Sequence, residues 1–217
     1  MYEEVKNYIQ SCHQCQIHAK TGKQNELFPI PISAPWERVG IDFVGPFPET
    51  TQGNKYIITA IDYFTRWPEA RAVPTATSKE AAKFIYEELI CRHGIINILH
   101  SDQGTHFVNE IITDLTKRFD MKHHKITAYH PQANGLVERF NGTLKKTLAK
   151  LHEESDQWDE LIPLALFAYR SSPIESIGIP PAFLEYGQTL RYPLTQLPDE
   201  TIWQRVKQLI DQFPLDQ

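Results

Sequence analysis

The chain has 217 residues, 41% of them hydrophobic and 23% charged, which suits one ordinary globular domain with a short appendage. A formal charge of −5 and a pI near 6.0 argue against a uniformly basic nucleic-acid-binding domain, and no apolar run nears the ~20 residues that cross a bilayer. The acidic start Met1-Tyr2-Glu3-Glu4 is unlike a secretory signal and three cysteines cannot all pair, so the chain reads as soluble, intracellular and without a disulfide framework.

Residues 1–22 read as a short helix, with Val5, Tyr8 and Ile9 on one face, running into Cys12-His13-Gln14-Cys15. Cys12 and Cys15 have the spacing of half a zinc site; the bland alternative is two reduced surface cysteines. The prolines of 23–35 form an extended linker. Three strands follow, near 37–44, 55–63 and 67–74, rich in aromatic and β-branched residues and separated by turn chemistry. In the first, Val39, Ile41 and Phe43 alternate with Asp42, which puts Asp42 on the opposite side of the pleat.

A helix capped by Ser78 runs to about His93, with Ala81, Phe84, Ile85 and Leu89 inward and Cys91 as a packing residue. The run Ile95–His100 is a strand whose end delivers Asp102, the place where α/β sheets put their chemistry. A helix over 107–119 and a strand near 122–127 lead to Tyr129–Gly135, which reads as a mobile loop between Pro131 and Gly135. The next helix opens at Leu136, with Phe140, Leu144, Leu148 and Leu151 on its docking face. Glu138 and Lys145, seven apart, share another face. A last core helix covers about 156–169.

Three carboxylates stand out: Asp42, Asp102 in Ser-Asp-Gln-Gly-Thr, and Glu138, 35 residues beyond Asp102. Any one alone is more often a cap or an ion-pair partner. Together, two aspartates at strands and a glutamate one turn into a helix are what an oxygen-ligand cage for hard divalent cations needs, which points to phosphodiester chemistry. Directly after Glu138, the stretch holding Arg139, Lys145, Lys146 and Lys150 has no acidic residue, a cationic surface for phosphates or a merely solvated face. Tyr129 is placed to stack on a base or to pack in the core. No glycine-flanked serine and no phosphate-cradling glycine loop is present, which disfavours serine hydrolases and NTPases.

These residues closely resemble the integrases of retroviruses and, more specifically, of gypsy-class LTR retrotransposons. Cys12–Gln16 resembles the end of a His-His-Cys-Cys zinc finger, Trp36–Pro46 the first core strand and Ile61–Trp67 the second strand with its turn. Ser101–Thr105 and Pro131–Phe140 are the most specific matches. The resemblance implies an α/β, RNase-H-like core with a five-stranded mixed sheet flanked by helices. It implies a finger remnant over 1–22, a linker over 23–35, a catalytic core over 36–195 and a helical extension over 196–217.

It further implies that Asp42, Asp102 and Glu138 hold two Mg²⁺ or Mn²⁺ ions, for 3′-end processing and strand transfer of retroelement DNA into target DNA. Tyr129 and Asn134 would approach the DNA ends, and Lys145 would contact the element's terminal DNA. A dimeric core, nuclear action and, at Cys12 and Cys15, a zinc half-site complete the expectation. The finger's paired histidines are missing and Arg170 stands where related elements often have asparagine, so the chain reads as a polyprotein fragment or a decayed copy. The competing reading is a non-catalytic DNA-binding relic or a host-adopted integrase.

Overall fold

A computed structural model of the protein describes residues 2–12, 33–126, 131–151 and 157–191. The chain divides into two units, Met1–Pro31 and Ile32–Gln217. In the first, α1 (Tyr2–Ser11) ends where Ser11 Oγ turns back to donate to Asn7 O at 2.9 Å.

The second unit is built on a sheet of β1 (Arg38–Val44), β2 (Tyr56–Asp62), β3 (Pro68–Val73), β4 (Ile98–Ser101) and β5 (Lys122–Lys125). The order is β3-β2-β1-β4-β5. The first three strands pair antiparallel, and β4 and β5 add parallel on the other side of β1. Between β3 and β4 run α2 (Ser78–Phe84), a π-helical turn Ile85–Ile90 and the closing turn α3 (Cys91–His93). Then come α4 (Glu110–Arg118), α5 (Pro131–Leu151), α6 (Ile162–Ser171) and α7 (Pro181–Tyr186).

The period-two reading of β1 holds. Val39, Ile41 and Phe43 face a core made with Phe84, Leu89 and Ile112 from the α2–α4 side. Even-numbered Val44 joins the other core, where Val137, Phe140, Leu144 and Leu148 of α5 meet Trp158, Ile162 and Ala165. Each such side chain taken fully from water contributes about 1.5–3 kcal/mol. The two cores clamp the sheet between helical layers and hold β1 at its centre.

Several boundaries differ from the sequence reading, each for a local reason. The cap of α2 is Thr77, whose Oγ1 accepts from Glu80 N at 3.4 Å, one residue before the expected Ser78. β4 starts at Ile98 because Ile95 is 58% exposed, outside the ladder that pairs Ile98 with Arg38. α5 starts at Pro131, so the expected loop up to Gly135 is partly helical; proline suits a first turn, where its missing N–H costs nothing. Cys91 is exposed rather than packed. Among the described residues no helix is long and apolar enough to cross a membrane.

Candidate active site

Asp42 lies near the C-terminal end of β1, half-buried, opposite Thr59 of β2. Its Oδ1 accepts from Phe43 N at 2.8 Å and its Oδ2 from Asn141 Nδ2 at 2.9 Å. Asn141 sits on α5, three residues after Glu138, and is 6% exposed. Its Oδ1 accepts from Thr59 Oγ1 at 2.9 Å. A buried amide satisfied on both atoms ties α5 to two strands beside the carboxylate, and such a pair specifies position as well as stability.

Gly40, two residues before Asp42 on the same side, sets how closely α5 approaches. A Cβ there would run into the Val137 side chain and stand 2.9 Å from Tyr63 Cε1. Val137 precedes Glu138 and is fully buried. Gly40→Ala is therefore expected to push the helix off β1, lowering stability by about 1–3 kcal/mol. Denaturant unfolding of the variant beside the wild type checks this.

Asp102 follows β4, which runs parallel to β1, so the two strands deliver Asp42 and Asp102 side by side at their C-terminal ends. Its Oδ1 accepts from Gly104 N at 2.9 Å and has His106 Nε2 at 3.8 Å. Glu138 lies exposed on α5. Burial pushes the Asp42 carboxyl up to about 6, helped by the charges of Asp102 and Glu138 and opposed by the bonds from Phe43 N and Asn141. The three carboxylates thus share one field.

Among the described residues, however, no three His, Cys, Asp or Glu side chains converge closely enough to hold a metal ion. The donor chemistry itself, oxygen ligands whose mutual repulsion a cation would relieve, fits a hard divalent ion.

Residues 33–131 match a family model described as "Integrase core domain", and residues 119–169 match a second model of the same description. The chain carries an integrase core domain. It is 34% identical over 203 residues to the Gag-Pol polyprotein of gibbon ape leukemia virus, covering 86% of this chain and 12% of that one. It is 30% identical over 197 residues to the retrovirus-related Pol polyprotein from transposon 412 of Drosophila melanogaster, covering 89% and 16%. The chain thus spans less than a fifth of either relative. Among solved structures, the catalytic core domain of BIV integrase superposes with a TM-score of 0.56 at 26% identity, covering 67% of this chain and 91% of that one. The five-stranded mixed sheet with flanking helices is the RNase-H-like integrase core.

Within that core, α5 separates the cations that the sequence reading grouped. At 3.6 residues per turn Lys145 shares the side of Glu138, whereas Arg139, Lys146 and Lys150 lie about 100° round the helix. The side chain of Asn134, all of Tyr129 and Cys15 lie outside the described residues. Cys12, just past α1, belongs to the other unit. Asn141 and Gly40 escaped the sequence reading. A polar residue amid Val137, Leu144 and Leu148 on the helix's inner stripe was the available signal for the first.

Proposed function

We propose that this chain is the catalytic core of a retroelement integrase of the gypsy class, trimming element DNA near its 3′ ends and joining the exposed 3′-hydroxyl to a target phosphodiester. The observation that carries the reading is that Asp42, Asp102 and Glu138, from a central strand, a strand end and a helix, share one field in which Asp42 is held near 6. Asp42, Asp102 and Glu138 would hold two Mg²⁺ or Mn²⁺ ions, whose chemistry when bound is to activate the attacking oxygen and neutralise the leaving one.

The chain's own groups do the positioning. Asn141 and the Phe43 N–H orient the two oxygens of Asp42, and the Gly104 N–H orients Asp102. Lys145, on Glu138's side of α5, pairs with a phosphate of the element end, while Tyr129 and Asn134 approach the terminal bases. The domain limits go with this reading: finger remnant 1–22, linker 23–35, core 36–195 and extension 196–217. So do zinc at the Cys12/Cys15 half-site, a dimeric core and nuclear action on DNA.

The competing reading is a DNA-binding relic that keeps the fold and the basic helix without catalysis. Joint reversal on a pre-branched labelled DNA with Mn²⁺ separates the two. Branch resolution by the wild type is expected, with a loss beyond about a hundredfold in Glu138→Gln, since even the outer partners of a metal ligand cost 10–100-fold. A folded wild type that binds the branched DNA and never resolves it leaves the relic reading standing.

A further inference from the structure

On the flank of α5 away from Asp42 lies a groove of about 670 Å³ between that helix, the end of α6 and the β2–β3 turn. Arg66 enters it from the turn and Arg139 from the helix, with Tyr169 between them and Thr143 and Thr147 continuing along α5. Arg66 is held there at a cost. Its φ of 62° lies in the left-handed region that glycine adopts far more easily, and its Nε is buried without a hydrogen-bond partner.

The turn beneath it is rigid. Arg66 N donates to Asp62 O at 3.1 Å, and Asp62's carboxylate is occupied by Trp36 N, Thr65 N and Thr65 Oγ1 at 2.7–2.9 Å. Asp62 therefore does not form a salt bridge with Arg66. The ring of Tyr169 is fixed edge-on to Phe140 at 5.0 Å, and its hydroxyl and the two guanidiniums all influence one another electrostatically. Two like charges are brought into one groove without a salt bridge to either from the described residues, whereas Arg71, Arg92 and Arg170 are all paired. The lining carboxylate, Glu175, is exposed on the rim.

Two arginines without a salt bridge from the described residues, one on a strained turn and one on α5, in a groove lined by hydroxyls, have the chemistry of an oxyanion seat. Lys146 and Lys150 extend it, because positions 139, 146 and 150 recur on one side of a helix at a rise of about 1.5 Å per residue. A row of cations of this kind tracks a chain of regularly spaced anions better than it fits a single small one.

We propose that the Arg66–Arg139 groove is a second phosphate-binding site, seating the backbone of a nucleic-acid strand on a flank of α5 about 100° round from Glu138. Only the identity of the phosphate donor rests on the integrase reading; the seat itself rests on the two arginines. Built without any of the three carboxylates, the site holds DNA whether or not a metal is bound.

The test is fluorescence anisotropy of a short labelled DNA duplex titrated with the whole chain in EDTA across a salt series. Arg66→Gly suits the turn's backbone and Arg139→Gln lies on an exposed helical position, so the double variant should melt no lower than the wild type. Its affinity at low salt is expected to fall roughly tenfold, with a salt slope shallower by about 2, one for each lost phosphate contact. Arg139→Glu alone repeats the test without touching the turn and is expected to weaken binding further.

Glu138→Gln serves as the contrast, binding no worse than wild type while losing joining. If groove variants weaken binding in a wild type that never joins strands, the seat stands and the integrase reading falls. Unchanged affinity and slope in the folded double variant overturn the seat, whatever the joining result. So does a loss confined to Lys145→Ala, which would put all phosphate contact on the Glu138 side. An arginine-dependent response to tripolyphosphate or to a poly-glutamate peptide, with duplex binding unaffected, overturns it in favour of a free polyphosphate or an acidic protein partner.

Discussion

Glu69→Ala is expected to be the most destabilising single change in the sheet, lowering stability by about 3–5 kcal/mol, because it strips a buried carboxylate from several donors at once. Glu69 is 2% exposed on β3. It accepts from Arg170 Nη2 at 2.7 Å, Trp67 Nε1 at 3.0 Å and Arg92 Nη1 at 3.3 Å, and it meets His93 Nε2 at 2.9 Å. Arg170 also donates to Pro68 O at 2.7 Å and lies 4.3 Å over the Trp67 ring, so its guanidinium would remain buried with its counter-charge gone. Thermal melts should show a drop of about 10 °C or more for a domain of this size. A drop no larger than a surface substitution gives would mean that water or a neighbouring carboxylate takes over.

The same network has a pH signature of two opposite signs. Burial pushes the Glu69 carboxyl up, but the His93 hydrogen bond and the Arg170 charge outweigh it and hold it below its usual 4.5. That contribution is present above 4.5 and is lost as pH falls through the depressed value. Burial pushes His93 down, but its bonds to Glu185 and Glu69 outweigh that and hold it above 6.5. Its contribution is complete below 6.5 and fades as pH rises through the raised value. Stability from this cluster is therefore greatest between about 4.5 and 6.5, and Glu69→Ala should flatten both limbs.

Arg170 shows what the sequence could and could not disclose. Its departure from the expected asparagine is visible in the chain, but its partners, Glu69 and Pro68, lie about a hundred residues away, and no periodicity connects them. Strands and faces were legible because their signal is local. The alternation of Val39, Ile41 and Phe43 around Asp42, and the four-residue spacing of Phe140, Leu144 and Leu148, each record which side meets a core. Asp102 was legible as a strand end for the same reason.

The π-helical turn Ile85–Ile90 left no mark that separates it from an α-helix, since Ile85 and Leu89 stay inward in either form. The roles of Gly40 and Asn141 depend on partners on other elements. Gly40 is small because Val137 lies against it, and Asn141 is polar inside a core stripe because Thr59 and Asp42 are there to satisfy it. Carboxylates reveal a candidate site from sequence; the residues that hold them in register appear only when the elements are packed.

Asp42→Asn is expected to abolish joining and, in EDTA at neutral pH, to make the protein more stable than wild type. The rise of the Asp42 carboxyl from 3.8 to about 6 means that folding penalises its ionised form. That gap corresponds to about 3 kcal/mol, cut to about 1.5–2 for a group that solvent still reaches. The amide removes the charge but keeps only one acceptor, so either Phe43 N or Asn141 Nδ2 loses its bond, at about 0.5–1 kcal/mol. Charge relief wins by about 1 kcal/mol, or roughly 2–4 °C in Tm.

Because the folded value is raised, the penalty on wild type is absent below 3.8 and complete above about 6, so the variant's advantage should grow across that interval and then level off. Mn²⁺ should reverse the order, stabilising wild type by mass action while leaving the variant nearly unmoved. Equal melting temperatures in EDTA at pH 5 and pH 8, or an equal response of both proteins to Mn²⁺, would mean that Asp42 is an ordinary surface carboxylate and that the cation, if one binds, is held elsewhere.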